Sequence, residues 1–299
     1  MSVMPPRAVL VSRASDLEEL LVRHGTLGQA KFFLKSRGQS MDRLVDQHEA
    51  QSKCYQQVRA ALPEHWRQAE VKRDELSRFL FSDRDVVVAI GQDGLIANLA
   101  KYAHGHPVMG INPEPERIAG LLVNYRAEET ADLLRQVESR SCRIEQRTMV
   151  EARLDDGQRL LALNEIFVGQ ASHQSSRYEI RYGEAVENQS SSGVIITSGT
   201  GTTGWARSII QATGSSISLD PADPRLAFFC REPWPSPTTG TGLQHGYIDE
   251  GRVLALVSAM NEGGVIFADG IETDRLAFNW GMTVTLGVAR ETLNLVVRS

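Results

Sequence analysis

The sequence predicts an α/β domain built on a parallel sheet, followed by a β-rich domain. Three observations carry that expectation. Over the first part of the chain, short apolar runs alternate with segments of helical spacing, the pattern of strands separated by helices. From about Arg143 the texture changes to a succession of strand-like runs. In that second part Tyr178, Ile180 and Tyr182 alternate with charged residues, the mark of an antiparallel strand solvated on one face. The expected division is residues 1–135 and 136–299, with a crevice between the domains as the usual place for a ligand.

The elements follow in order. Residues 8–11 form a strand, and residues 15–22 repeat apolar side chains at helical spacing until Gly25 stops the helix. Residues 41–62 read as a second helix with Leu44, Val45 and Val58 on its apolar side and Pro63 ending it. Residues 85–90 are a buried strand that runs into Gly91-Gln92-Asp93-Gly94 and then into a helix over 95–102. Residues 107–111 give the next strand and 127–139 another helix. In the second half, residues 159–163, 177–182, 193–197, 252–257 and 264–267 read as strands. One helix stands out there, around 205–212, and residues 282–286 and 293–297 close the chain as two strands.

Composition narrows the class of protein. With 299 residues, 41% of them apolar and 23% charged, the chain can build a sizeable core and is not of the disordered type. The 32 basic and 37 acidic residues leave a net charge of −5, which argues against general binding to nucleic acid or anionic membranes and leaves room only for a local basic patch. Cys54, Cys142 and Cys230 lie far apart and are odd in number, so neither a disulfide framework nor a zinc knuckle is expected. The apolar runs are too short to cross a bilayer, and the N-terminus lacks a small-residue cleavage site, so the expected location is the cytoplasm.

Three segments can carry chemistry. At Gly91-Gln92-Asp93-Gly94 a buried strand meets a helix start, where glycines allow close approach and the helix end offers free N–H groups to an anion. Asp93 in that turn either caps the helix, orients a hydroxyl or metal beside a phosphate, or takes a proton from an attacking alcohol. The segment from Thr197 to Trp205 fits G-x-G-x-x-G through Gly199, Gly201 and Gly204. That fingerprint belongs to the first βαβ unit of a parallel sheet, whereas this copy lies deep in the β-rich half with no clear parallel strand after it. What remains is a turn rich in hydroxyls, Thr200, Thr202 and Thr203, suited to sugar and phosphate oxygens or simply to a structural turn. Third, Asn164 and Glu165 sit within an otherwise apolar strand, where they need a polar ligand such as a ribose, a core network, or a solvated strand end.

Other motifs point away from further chemistry. His104 and His106 lack a third metal ligand, His48-Glu49 has no second histidine at metalloprotease spacing, and no metal site is expected. No serine elbow and no G-x-x-x-x-G-K-[ST] loop is present. Arg231-Glu232-Pro233 reads as a turn salt bridge.

Taken together, the order and spacing of the three segments resemble the NAD kinase family, whose motifs are Gly-Gly-Asp-Gly, Asn-Glu and a Thr-Gly-Ser-Thr-like stretch ending in an aromatic residue. The likeness extends to residues 110–117, 229–233 and Asp269-Gly270, and covers roughly residues 8–297. The Pro-Glu-Arg stretch ending at Arg117 and residues 199–202 are closer to the mitochondrial-type branch. Gln92 stands in place of the motif's second glycine, Leu95 where threonine is common, and Gly204-Trp205 where Ala-Tyr is usual. The resemblance implies a Rossmann-like parallel sheet and a second domain of β-sandwich type. It implies phosphoryl transfer from ATP, with Mg2+, to the 2′-hydroxyl of the adenosine ribose of NAD. Asp93 would be the base, and the backbone of Gly91 and Gly94 would lie near the phosphates. Asn164 and Glu165 would hold the NAD ribose, and Thr200, Thr203 and Trp205 would line the nucleoside pocket. A homodimer or homotetramer is the implied assembly. A catalytically weak NAD- or NADP-binding relative, or a kinase of a lipid or sugar alcohol, are the alternatives, and an NAD-dependent oxidoreductase fits least.

Overall fold

The computed structural model describes residues 5–298. The chain divides into one unit reaching Glu145 and a second spanning Gln146–Leu293, with the residues from Asn294 returning to the first.

In the first unit the order is β1 (Arg7–Ser12), α1 (Asp16–His24), α2 (Leu27–Lys35), α3 (Asp42–Ala60), β2 (Arg67–Lys72), β3 (Asp85–Ile90), α4 (Asp93–Ala100), β4 (Pro107–Ile111) and α5 (Thr130–Glu138). The strands pair in parallel in the order β2-β1-β3-β4, and Asn294 and Leu295 add to β4, also in parallel. A parallel sheet must be covered on its faces, and β3 is accordingly buried along its whole length. Leu10, Val88, Ile90, Met109 and Ile111 pack against Val58 of α3 and Leu133 and Leu134 of α5. Capping is written into the sequence: Ser15 accepts the Glu18 N–H while Glu18 accepts the Ser15 N–H, and Gly25, at φ 74°, ends α1.

Two elements of this unit lie beyond the expected set. Helix α2 is capped by Thr26 but buries only Ala30 and Leu34. Strand β2 pairs only with β1 and carries three charged side chains among six, as an edge strand does. The expected boundary after residue 135 would cut α5, whose Leu133 and Leu134 belong to the first core. The division at Glu145 and the return from Asn294 therefore replace it.

The second unit holds most of β5 (Arg143–Leu154), then β6 (Arg159–Ala162), β7 (Glu165–Gln170), β8 (Ser176–Tyr182), β9 (Ala185–Ser191), β10 (Val194–Thr197), α6 (Trp205–Thr213), β11 (Leu226–Cys230), β12 (His245–Ile248), β13 (Val253–Ser258), β14 (Gly264–Ala268) and β15 (Ile271–Ala277), and most of β16 (Thr283–Val297). One sheet is antiparallel with order β12-β11-β10-β7-β14-β15. A second layer runs β16-β13-β8-β9, with β5 on β16 and β6 on β5. Ile166, Val168, Ile196 and Phe228 from the first sheet meet Tyr178, Ile180, Leu254, Leu256 and Val284 from the second in one core, which makes the unit a β-sandwich. The two closing strands expected at 282–286 and 293–297 are one strand, β16, because Gly287 stays in the ladder opposite Val253 and the buried positions run on through Val284, Leu286, Ala289 and Leu293. Asn164 lies between β6 and β7 rather than inside a strand, and Glu165 opens β7.

The three cysteines are free, and burial pushes the Cys54 and Cys230 thiols up to about 12. Among the described residues no helix is long and apolar enough to cross a membrane.

Candidate functional site

The site residues fall in two groups, one on each unit. In the first unit Gly91, Gln92 and Asp93 join β3 to α4, with Gln92 at the N-cap and Asp93 as the first helical residue. Gln92 has φ −113°, ordinary extended backbone, so the turn does not need glycine there for conformational reasons. The Gly91 N–H donates to the Ile111 carbonyl at 3.1 Å, which removes it as a phosphate donor. Gly94 is exposed, and its N–H belongs to the first helical turn, where the helix itself supplies no acceptor. Leu95, where the resemblance would place a hydroxyl, is buried beside Gly91.

Asp93 is the organising side chain of this turn. Its Oδ1 accepts the backbone N–H groups of Leu122 at 2.8 Å and Val123 at 3.1 Å, and its Oδ2 accepts that of Leu121 at 3.0 Å. A carboxylate has about four acceptor positions. Three are used on the loop, and one remains, on Oδ2.

In the second unit β7, β10 and β14 turn alternate residues to opposite faces. Ile166, Val168 and Ile196 face the core, whereas Phe167, Ile195 and Val265 face outward and pack on Trp205 and Ile209 of α6. By the same alternation Glu165 and its pairing partner Thr197 lie on the α6 side. Trp205 stacks on Phe167, with ring centroids 5.9 Å apart and planes at 17°. The Arg231 guanidinium lies over Trp205, 5.2 Å from its centroid. A groove of about 530 Å3 runs along this face, lined by Trp205, Ser208, Ile209, Phe229, Arg231 and His245, among others.

The Asn164–Glu165 segment is held from behind. Asp269 Oδ1 accepts the N–H of Asn164 at 2.7 Å and that of Glu165 at 3.3 Å, while its Oδ2 accepts that of Leu163 at 3.1 Å. Asp269 itself has φ 54°, the left-handed turn conformation an aspartate tolerates. Glu165 is 8% exposed, and its Oε2 has no hydrogen-bond partner. Burial, with the neighbouring Asp269 charge, pushes its carboxyl up to about 7.

The Thr-rich turn packs directly on this segment. Ser198 N–H and Thr197 Oγ1 donate to the Asn164 carbonyl at 2.9 and 3.2 Å. A Cβ on Gly201 would stand 2.3 Å from the Asn164 oxygen, and one on Gly199 would stand 1.8 Å from the Asp220 oxygen. These glycines serve the close approach of the chain to itself, not the phosphate turn of a dinucleotide fingerprint. Gly201→Ala is accordingly expected to cost about 2 kcal/mol by overpacking, read as a lower melting temperature of the second unit. The hydroxyls of Thr202 and Thr203 donate to the carbonyls of Gly199 and Thr200 at 2.6 and 2.9 Å, so they close the turn and can only accept from a ligand. Thr200 is buried, and the buried Arg147 of β5 donates Nη1 to its Oγ1 at 3.5 Å.

Strand alternation thus puts Glu165 on the face that carries Trp205, Thr200 lies in the turn between Thr197 and α6 against Arg147, and Asn164 anchors that turn through its backbone carbonyl. Asp269, Arg147 and Phe167 complete that region and were not among the expected site residues. Asp269-Gly270 carried a signal, a turn dipeptide after an apolar strand; Arg147, one arginine among several in β5, carried none.

A parallel α/β unit with an aspartate at its glycine turn, followed by a β-sandwich unit bearing a polar strand edge and an aromatic-lined groove, defines a two-unit class of α/β–β protein. In sequence the chain is similar to NAD kinases, and in fold to NAD and NADH kinases. It is 34% identical over 153 residues to the NAD kinase of Methylococcus capsulatus, covering 47% of this chain and 51% of that protein. It is 26% identical over 264 residues to mitochondrial NAD kinase 2 of Rattus norvegicus, covering 71% and 62%. The chain therefore spans about half the length of the bacterial relatives it matches. In fold it is similar to yeast NADH kinase complexed with NADH, at TM-score 0.61 and 14% identity over 99% of this chain and 84% of that one. It is likewise similar to the Archaeoglobus fulgidus NAD kinase in complex with ATP, at TM-score 0.59 and 18% identity over 97% and 93%. No protein-family model matches the chain.

Proposed function

We propose that this chain transfers the terminal phosphoryl group of ATP to the 2′-hydroxyl of the adenosine ribose of NAD, giving NADP. The observation that carries the reading is Glu165 Oε2, a buried carboxylate oxygen with no hydrogen-bond partner, on the face of the sheet that α6 covers by strand alternation. A ribose hydroxyl supplies the donor that such an oxygen lacks. Asn164 and Thr200 border the same ribose, Trp205 offers its ring to a nucleoside, and Thr203 accepts at the rim. The open acceptor position of Asp93 orients the attacking hydroxyl and takes its proton, while the α4 N-terminus at Gly94 faces the phosphates. Phosphoryl transfer depends mainly on positioning and charge neutralisation, so one carboxylate on a rigid turn is an adequate base.

Magnesium would enter as the ion carried by ATP. We further place the protein in the cytoplasm, on its free thiols, as a homodimer or homotetramer; light scattering reads the assembly directly.

A second reading, a nucleotide-binding relative with little catalysis, is favoured by the engaged Gly91 N–H and by apolar Leu95 at the turn. Incubation with NAD, ATP and magnesium separates the two. NADP formed above a no-enzyme control is expected; NAD bound without NADP formed would install the second reading.

A further inference from the structure

One surface of the first unit belongs to neither group of site residues. Val22, Leu27 and Phe32 are 87%, 58% and 75% exposed. Three of the ten large apolar side chains left exposed among the described residues thus fall within eleven positions. Exposed apolar side chains are ordinarily scattered singly, and a cluster of them marks a face that meets something.

The cluster has a local cause. Helices α1 and α2 pack as a hairpin through Leu17, Leu20, Leu21, Phe33 and Leu34. In α2 this contact uses the stripe of Ala30, Phe33 and Leu34. Gly28, Lys31, Phe32 and Lys35 fall on the opposite stripe at helical spacing, and all four are exposed. A polar residue is usual at such a position, and Phe32 stands there instead.

The charge on this surface has one sign. From Leu20 to Met41 the sequence holds Arg23, Lys31, Lys35 and Arg37 and no aspartate or glutamate, in a chain whose net charge is −5. Helix α1 keeps Asp16, Glu18 and Glu19 in its first turn and Arg23 and His24 in its last. The helix dipole accounts for cations at helix ends, but not for Lys31 in mid-helix or for the missing acid at the start of α2. An open groove of about 520 Å3 runs beside Phe32, lined by Arg23, His24, Gln29, Phe33 and Arg37, among others. The Phe33 ring packs on His24, with centroids 4.3 Å apart, and the Arg37 guanidinium lies 3.8 Å from its centroid. A cation is thereby held at the edge of the apolar surface.

Apolar side chains projecting among cations match a layer of anionic headgroups over hydrocarbon. On an acidic protein, such a patch turns the molecule cations first toward that layer. A nucleic acid would use the cations and leave the exposed apolar side chains without a purpose. An acidic peptide helix would seat in a trough, whereas Phe32 projects.

We propose that the α1–α2 hairpin docks on anionic phospholipid bilayers, with Phe32 entering the headgroup region and Arg23, Lys31, Lys35 and Arg37 meeting the lipid phosphates. Four cations and a few apolar tips make a peripheral, reversible attachment. The attachment is independent of the reaction at Asp93.

The test is sedimentation of the whole chain with vesicles of phosphatidylcholine alone, or of phosphatidylcholine and phosphatidylglycerol in equal parts. Wild type is expected to bind the mixed vesicles and not the neutral ones, and to lose affinity as salt rises. Lys31→Ala combined with Lys35→Ala should weaken binding about twentyfold, since each cation near the surface is worth roughly fivefold. Phe32→Ser should weaken it about tenfold. Alanine favours the helix and position 32 is exposed, so both variants should melt with the wild type. Mixed vesicles left unbound by wild type at low salt, or bound equally by wild type and both variants, overturn the assignment. A synthetic amphipathic helix of glutamate and leucine provides the rival probe. Binding of that helix through Lys31, Lys35 and Phe32, with no binding of vesicles, also overturns the assignment and gives the face to an acidic protein.

Discussion

Asp93→Asn is expected to lower the rate of NADP formation by about 10^2- to 10^4-fold, the usual weight of a positioned proton acceptor. The structure gives this substitution a second consequence. Asp93 holds the backbone N–H groups of Leu121, Leu122 and Val123, so the same carboxylate that would take the proton also fixes the loop after β4. An amide keeps one acceptor oxygen and turns two donor protons toward the loop, which leaves at least one of these N–H groups facing a donor. Asp93→Ala removes all three bonds and should cost about 2–4 kcal/mol, since hydrogen bonds to a charged group are worth more than neutral ones. Amide hydrogen exchange at residues 121–123 reads the loop, and an NADP assay reads the chemistry. Asn should lose most of the rate with faster but still protected exchange, whereas Ala should lose both. An Asn variant with normal turnover would remove Asp93 from the role of base and leave it a loop anchor.

How far the sequence alone reaches follows from where each signal lies. Strands buried on both faces announce themselves: the five apolar residues after Asp85 leave little choice, and β3 stands where they predict. Tyr178, Ile180 and Tyr182 mark β8 by alternation, and Ser15 and Gly25 bracket α1 by capping. Edge elements are less legible. Strand β2 has only Ala69 and Val71 as apolar residues, because its neighbours ask little of it, and β9 has only Ala185 and Val186. The unit boundary is hidden for a different reason: β16 pairs with β13 along its first part and with β4 of the first unit at Asn294 and Leu295, and local patterning carries no mark of a change of partner.

The site is legible in part for the same reason. Asp93, Glu165 and the Thr-rich turn are unusual residues where an apolar strand ends, and such residues stand out. What those groups lean on does not. Arg147 lies 53 positions from Thr200 in the chain, and Asp269 lies more than a hundred from Asn164, so only the folded sandwich brings them together. The hydroxyls of Thr202 and Thr203 show the converse. In sequence they are free donors, and in the structure they close their own turn.

Glu165 gives a prediction whose sign distinguishes a binding residue from a structural one. Burial and the nearby Asp269 charge raise its carboxyl from the ordinary 4.5 to about 7. A folded-state value above the unfolded one means that the stability this group allows is fully present below about 4.5 and is lost as pH rises through 7. At about 1.4 kcal/mol per pH unit, the ionised form is disfavoured by roughly 3 kcal/mol. Glu165→Gln carries no such charge. The variant and the wild type should therefore melt together near pH 4, and the variant should be the more stable by roughly 2–3 kcal/mol at pH 8. Binding should move the other way. A ribose hydroxyl donates best to the ionised carboxylate, so wild-type affinity for NAD should rise with pH across 6 to 8 with a midpoint near 7. In Glu165→Gln that rise should be flat, with affinity at pH 8 lower by about tenfold. A variant less stable than wild type at pH 8 would show that Glu165 holds the fold together. A variant both more stable and weaker in binding would show a charge kept in the core for its ligand, at the expense of the free protein.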